Sequence, residues 1–187
     1  MSATGALRIR AATVEDAAAI AEVQVATWRT SFRGLVADDA LARMDVARRT
    51  ERWREVLSGD GNLDFVADDG RGGVVGFIDG GANRETEPPF DAFDGELHAI
   101  YVLQSHQRGG TGRRLVRALI DALLHRGHAS MLVWTFEASP FRAFYERLGG
   151  RWLGTRDVQV DDAPYAGVAY GWDDLEALRQ RLGDDQP

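Results

Sequence analysis

The sequence predicts an α/β (α+β) fold. It is a mixed, mostly antiparallel sheet of about six to seven strands, with helices on both faces and one central parallel β-α-β unit. Three observations predict it. Strand-length apolar runs alternate with helix-period segments in the order β, α, α, β, β, β, α, β, α, β, β. Glu96 to Phe136 reads as strand, helix, strand, which should make a right-handed parallel crossover. Asp68-Asp69-Gly70-Arg71-Gly72-Gly73, between two strand-like runs, is a hairpin signal. The 187 residues suit one domain spanning 1–187. A chain of this size buries about 70% of its unfolded surface without staples.

Each element follows from its residues. Leu7 to Ala11 alternates as a first strand. Thr13-Val14-Glu15-Asp16 resembles a helix cap with acids in the first turn, and the apolar positions Ala17 to Val25 carry a helix to about Trp28. Asp38 opens a second helical region through Leu41, Met44, Trp53, Val56 and Leu57, stopped by Gly59-Asp60-Gly61-Asn62. Leu63 to Ala67 and Val74 to Asp79 form the hairpin, and Ala82 to Gly95 reads as a long loop. Glu96 to Leu103 is the next strand. Arg113 to Arg126 is a helix with Leu115, Val116, Leu119, Ile120, Leu123 and Leu124 on one face, closed by Gly127. Met131 to Phe136 is a buried strand. Ser139-Pro140 starts a short helix with a favoured cap pair, and Phe141, Phe144, Tyr145 and Leu148 form its stripe. Arg151 to Val160, Gly167 to Trp172 and a helix from Asp173 to Leu182 complete the chain.

Composition excludes several function classes. There is no cysteine, so thiol nucleophiles, disulfides and cysteine-based zinc sites are ruled out. All 22 basic residues are arginine, which reads as codon bias but removes any mechanism that needs a lysine. A net charge of −7 disfavours nucleic acid as a partner and suits a cationic one. Met1 to Gly5 has no apolar signal core, and no run approaches the ~20 apolar residues of a membrane span. The expectation is a cytoplasmic protein with no membrane partner.

The segment Gln107-Arg108-Gly109-Gly110-Thr111-Gly112 joins a strand to a periodic helix. Glycines there allow close backbone approach, and a helix start offers unpaired N–H groups and the positive end of the macrodipole. Together they suit a phosphate. A nucleotide-triphosphate loop needs a lysine that is missing; a dinucleotide fingerprint needs a small residue where Leu115 stands. A plain turn without a ligand is the bland alternative.

The pattern Gln-x-x-Gly-x-Gly, after Tyr101-Val102 and before Arg113-Arg114-Leu115, resembles the acyl-CoA site of the GNAT N-acetyltransferase superfamily. Ser139 to Gly149, ending in Phe144-Tyr145-Glu146-Arg147-Leu148-Gly149, resembles the second signature of that family at the matching distance. The likeness runs from about Leu7 to Leu182. It implies that acetyl-CoA is the acyl donor; the histidines have no nearby carboxylate pattern, so no metal site is expected. It implies that Gln107 and backbone N–H groups from Arg108, Gly109, Gly110, Thr111, Gly112 and Arg113 hold the pyrophosphate. It implies that Ile100, Tyr101 and Val102 pair with the pantetheine arm and polarise the thioester. Ser139 stands where the family often has asparagine, which weakens one expected polar contact. Tyr145 is the implied proton donor to the departing thiolate, because a phenol is protonated at neutral pH. The bland alternative is one more packed aromatic.

The acceptor ammonium must lose a proton before it can attack. Glu96 and His98 point to one side of their strand by the two-residue period. Glu96 ranks first as the base, because many family members carry a carboxylate there; a solvated loop end is its bland reading. His125 and His128 flank a helix end and read as carbonyl caps or as solvent-facing. The resemblance places the acceptor site at Trp28 to Val36, Asp79 to Glu96 and Asp161 to Ala166. In the middle segment Asp79, Glu85, Glu87, Asp91, Asp94 and Glu96 outnumber Arg84, an acidic rim for a cationic amine or simply a solvated loop. The expected activity is acetyl transfer to a primary amine, small-molecule or peptide, by direct attack in a ternary complex. Another acyl-CoA, a protein N-terminus, or a non-catalytic CoA-binding module are the alternatives. A homodimer through the last two strands stays open.

Overall fold

A computed structural model describes residues 6–160 and 163–184. The elements are β1 (Arg8–Ala11), α1 (Ala17–Ser31), α2 (Asp38–Ala42), α3 (Val46–Leu57), β2 (Leu63–Asp68), β3 (Val74–Ala82), β4 (Gly95–Val102), α4 (Thr111–His125), β5 (Met131–Phe136), α5 (Arg142–Arg147), β6 (Arg151–Val160), β7 (Ala163–Trp172) and α6 (Leu175–Asp184). The seven strands form one sheet in the order β1-β2-β3-β4-β5-β7-β6. The pairs β1–β2, β5–β7 and β6–β7 are antiparallel, and β4–β5 is parallel, as the strand–helix–strand reading requires.

Four local readings are corrected. The second helical region is two helices, because the Asp45 carboxylate accepts from the Arg48 N–H at 2.7 Å and starts α3 afresh. Ser139 does not cap α5; its Oγ accepts from the Phe141 N–H at 3.1 Å, a turn that delays the helix to Arg142. The long loop contains a 3₁₀ turn at Phe90–Ala92. β7 begins at Ala163, four residues before the expected strand, because it pairs with β6 as far as Val160↔Ala163. Met1 to Gly5, Asp161 and Asp162 lie outside the described residues, and with them part of one expected acceptor segment.

The described residues divide into two compact units, 6–79 with 99–119, and 80–98 with 120–184. In the first, Ala17, Ile20, Ala21 and Val23 of α1 pack with Trp53 of α3 and with Val66 and Phe77 from the strands. The i, i+3, i+4 spacing of the α1 residues puts them on one stripe. The Trp53 indole N–H needs a partner once buried and donates to Gln24 Oε1 at 2.9 Å. In the second, Phe93, Leu132, Leu153 and Ala169 form a core cluster with Phe90 and Trp134 against it. The Arg156 guanidinium lies 4.0 Å over the Trp134 ring and pairs with the Glu85 carboxylate. No helix among the described residues is long and apolar enough to cross a membrane.

Candidate active site

The glycine segment has the backbone that its sequence demands. Arg108 and Gly110 take φ of 60° and 82°, in the left-handed region that lets successive N–H groups turn toward one side. A Cβ built on Gly109 or Gly110 would meet nothing within 4 Å, so this backbone faces open space. Thr111 then opens α4. Gln107, expected among the ligand-binding residues, donates its side-chain amide to the Val102 carbonyl at 2.9 Å. It thereby ties the loop to the end of β4. The arrangement is a cradle of backbone donors at a helix start, suited to an anion.

β4 carries the other expected groups. Its register with β5 runs from Gly95↔Met131 to Leu97↔Val133, and Ile100, Tyr101 and Val102 lie beyond it. The Tyr101 ring packs 5.5 Å from Phe77 and 6.4 Å from Trp28, and burial pushes its phenol above the ordinary range. Glu96 is not a solvated loop end: its side chain is 6% exposed. Arg84 grips it with the backbone N–H to Oε2 at 3.1 Å, Nε to Oε2 at 3.1 Å and Nη2 to Oε1 at 2.8 Å. Burial by itself would raise this carboxyl. The hydrogen bonds and charge of Arg84, with a smaller contribution from His98, outweigh burial and hold it below the usual range. His98 is equally buried, with Nε2 3.8 Å from Glu96 Oε2.

The expected acidic rim is mostly committed within the protein. Glu85 pairs with Arg156, Asp94 accepts from the Ala129 N–H at 2.8 Å, and Glu96 is held by Arg84. Asp79, 7% exposed, pairs with Asp64. Glu87 and Asp91 are left exposed.

Tyr145 sits on α5, buried to 6% exposure. Its ring stacks on Tyr170 with centroids 6.2 Å apart, and meets Trp172 and Phe144 at 6.4 and 5.4 Å. Two hydrogen-bonded aromatics of β7 fix the helix that carries it. Tyr170 Oη donates to Glu146 Oε1 at 2.7 Å and accepts from Arg142 Nε at 2.9 Å, while Trp172 Nε1 donates to the Leu148 carbonyl at 2.9 Å. Gly150 admits this packing, since a Cβ there would come within 2.9 Å of Trp172 and 3.0 Å of the Tyr145 carbonyl. Tyr170→Phe should therefore cost about 1–2 kcal/mol of stability through the two lost bonds, read as a lower urea midpoint. An unchanged midpoint would show that Tyr170 Oη does not anchor α5. Ser139 is buried, and its Oγ faces its own turn.

Sequence reasoning missed Arg84, Tyr170 and Arg142 as supports for the expected catalytic groups. Only Arg84 had a signal, as the lone cation of an acidic stretch. The other two act across 24 and 28 residues of chain. No group of three or more His, Cys, Asp or Glu placed to hold a metal occurs among the described residues.

Comparison with known proteins adds to this geometry. Residues 74–158 match the family model described as FR47-like protein. The chain is 34% identical over 175 residues to YuaI of Bacillus subtilis, described as an uncharacterised N-acetyltransferase, covering 93% of this chain and 97% of that one. The structure is similar to the GCN5-related N-acetyltransferase from Rhodopseudomonas palustris, with a TM-score of 0.70 at 19% identity over 91% of this chain and 98% of that one. It is also similar to PaiA N-acetyltransferase from Thermoplasma acidophilum in complex with coenzyme A, with a TM-score of 0.61 at 15% identity, covering 89% and 99%. YncA from Salmonella typhimurium, solved with its cofactor acetyl-CoA, has a TM-score of 0.62 at 21% identity, covering 91% and 94%. At such identities the structural likenesses speak for the fold alone.

Proposed function

This chain belongs to the GNAT N-acetyltransferase superfamily, a class of acetyl-CoA-dependent acyltransferases, and from that premise we propose that it acetylates a primary amine by direct attack in a ternary complex. The observation that carries the reading is the Arg108–Gly112 backbone, left-handed at Arg108 and Gly110 and open to space at Gly109 and Gly110, at the start of α4. The residues fit acetyl-CoA, which supplies an activated thioester when bound. Backbone N–H groups of Arg108 to Arg113 hold the pyrophosphate; Ile100 to Val102, beyond the register with β5, take the pantetheine arm. Ser139 accepts from the Phe141 N–H in its own turn, which leaves its hydroxyl hydrogen and second lone pair for the donor.

The Glu96–His98 pair takes a proton from the acceptor ammonium. The freed amine attacks the acetyl carbon, and the C–N bond forms as the C–S bond breaks. The thiolate leaves with a proton from Tyr145, and the second proton shed by the new amide nitrogen restores the phenol. No covalent enzyme intermediate is involved, and the chain has no cysteine to form one.

The test is thiol release from acetyl-CoA with a panel of monoamines, diamines and peptide N-termini. Turnover on a small amine is the expected result. Turnover only on a peptide would move the acceptor to a protein N-terminus. Binding of acetyl-CoA without turnover on any acceptor would favour a CoA-binding module, and failure to bind it would overturn the proposal.

A further inference from the structure

The resemblance makes Glu96 the base, yet the structure surrounds Glu96 with the wrong partners for that task. A carboxylate offers about four lone-pair sites in its plane. On Oε2 both are taken, one by the Arg84 backbone N–H and one by Arg84 Nε, each at 3.1 Å. On Oε1 one is taken by Arg84 Nη2 at 2.8 Å. The Nε and Nη2 bonds form a fork–fork pair, the strongest geometry between guanidinium and carboxylate. A proton arriving on this carboxylate would compete with a charge-assisted grip on both oxygens. The grip is local, since Arg84 lies just past the end of β3 and Glu96 is second in β4.

His98 is differently placed. It lies two residues along the strand, so its side chain leaves the same face. The side chain is 5% exposed, and its Nε2 is 3.8 Å from Glu96 Oε2. Imidazole is the side-chain base whose ordinary range lies closest to neutrality. The Glu96 carboxylate stands beside it on the same face. The charged groups acting on Glu96 are Arg84 and His98; Leu132, in register with it on β5, brings no charge.

We propose that Arg84 is a positioning residue that locks the Glu96 carboxylate in place, and that His98, set beside that carboxylate on the same face of β4, is the group that takes the proton from the acceptor amine. The idea rests on the acyltransferase reading above. The first proton moves from the ammonium to His98 and then to water; the amine lone pair forms the C–N bond as the C–S bond breaks; the thiolate departs with the Tyr145 proton, and the second nitrogen proton returns to Tyr145. Arg84 touches no reacting atom in this scheme; it acts through Glu96.

The test has two arms on the full chain. The first is the pH profile of kcat/KM with the best amine of the panel. His98→Gln should lower kcat about 100-fold and erase the acidic limb. Glu96→Gln should keep that limb, because the proton-accepting group is still present. Arg84→Gln should lower kcat about 10-fold with little change in KM, and Arg84→Lys should recover part of the loss. An acidic limb that survives His98→Gln and disappears in Glu96→Gln would overturn the proposal. The second arm needs no turnover. In carbon-13 NMR of the glutamate carboxyls, with the Glu96 signal identified by its loss in Glu96→Gln, the Arg84→Gln change should raise the Glu96 midpoint. An unmoved midpoint would refute the lock. If no amine is acetylated, the activity reading fails while this arm still decides the role of Arg84.

Discussion

Tyr145→Phe should lower kcat about 100-fold while leaving the affinity for acetyl-CoA nearly intact. The change removes one oxygen and keeps the ring. That ring is where the packing lies, against Tyr170, Trp172 and Phe144. The folded state should survive, and a thermal melt of the variant should superpose closely on that of the parent. The proposed loss is confined to the step in which the thiolate departs, so the ground-state complex keeps its binding energy. Steady-state thiol release and calorimetric titration with acetyl-CoA separate the two quantities. Unchanged turnover would return Tyr145 to the status of one packed aromatic among several. A joint fall in affinity and turnover would mean that the hydroxyl holds the donor rather than protonating the leaving group.

Asp64→Asn should stabilise the protein by about 1–2 kcal/mol at pH 8 and by little near pH 4. Asp64 on β2 and Asp79 on β3 share a hydrogen bond, and Asp64 Oδ1 is buried without a partner. Burial, then the charge and hydrogen bond of Asp79, push the Asp64 carboxyl up to about 7. The folded chain therefore binds a proton that the unfolded chain, with an ordinary Asp value near ~4, has released over that range. The stabilising contribution is fully present below about pH 4 and is lost as the pH rises through about 7. A shift of this size corresponds to roughly 4 kcal/mol at full value, discounted to about 1–2 because the group is partly solvated. Asparagine donates to Asp79 at every pH, so its contribution stays level. Urea midpoints of both proteins at pH 4.5 and 8 give the comparison. A difference that does not grow with pH would contradict the shared proton. Asp16, held low by the hydrogen bonds of Arg10, has the opposite slope, but it contributes equally to both proteins and cancels.

How far the site was legible depends on distance along the chain. The glycine loop could be read because a strand end, left-handed backbone and a helix start are local properties of a few residues. The same holds for the α4 stripe, whose Leu115, Leu119 and Leu123 are fully buried. The α2–α3 break escaped because one apolar pattern ran across it, and only the Asp45 cap marked the division. Ser139 was misread because a serine hydroxyl bonds equally well in a cap or in a two-residue turn. The acidic rim looked free because a charge count says nothing about partners. Arg156 reaches Glu85 from 71 residues away.

What the sequence determined by itself was the kind and order of the elements, together with the left-handed glycine backbone at the start of α4. Hydrophobic period, capping and glycine placement act over a few residues and need no knowledge of the fold. The tertiary structure alone decided the electrostatic state of the candidate groups. Asp64 meets Asp79 because β2 neighbours β3, and Tyr145 is braced because β7 presents Tyr170 and Trp172 to α5. Glu96 became a gripped anion because the chain returns from β3 into β4 with Arg84 at the turn. A carboxylate's basicity is set by which donors reach it and how much water is removed, and sheet register with loop path decides both.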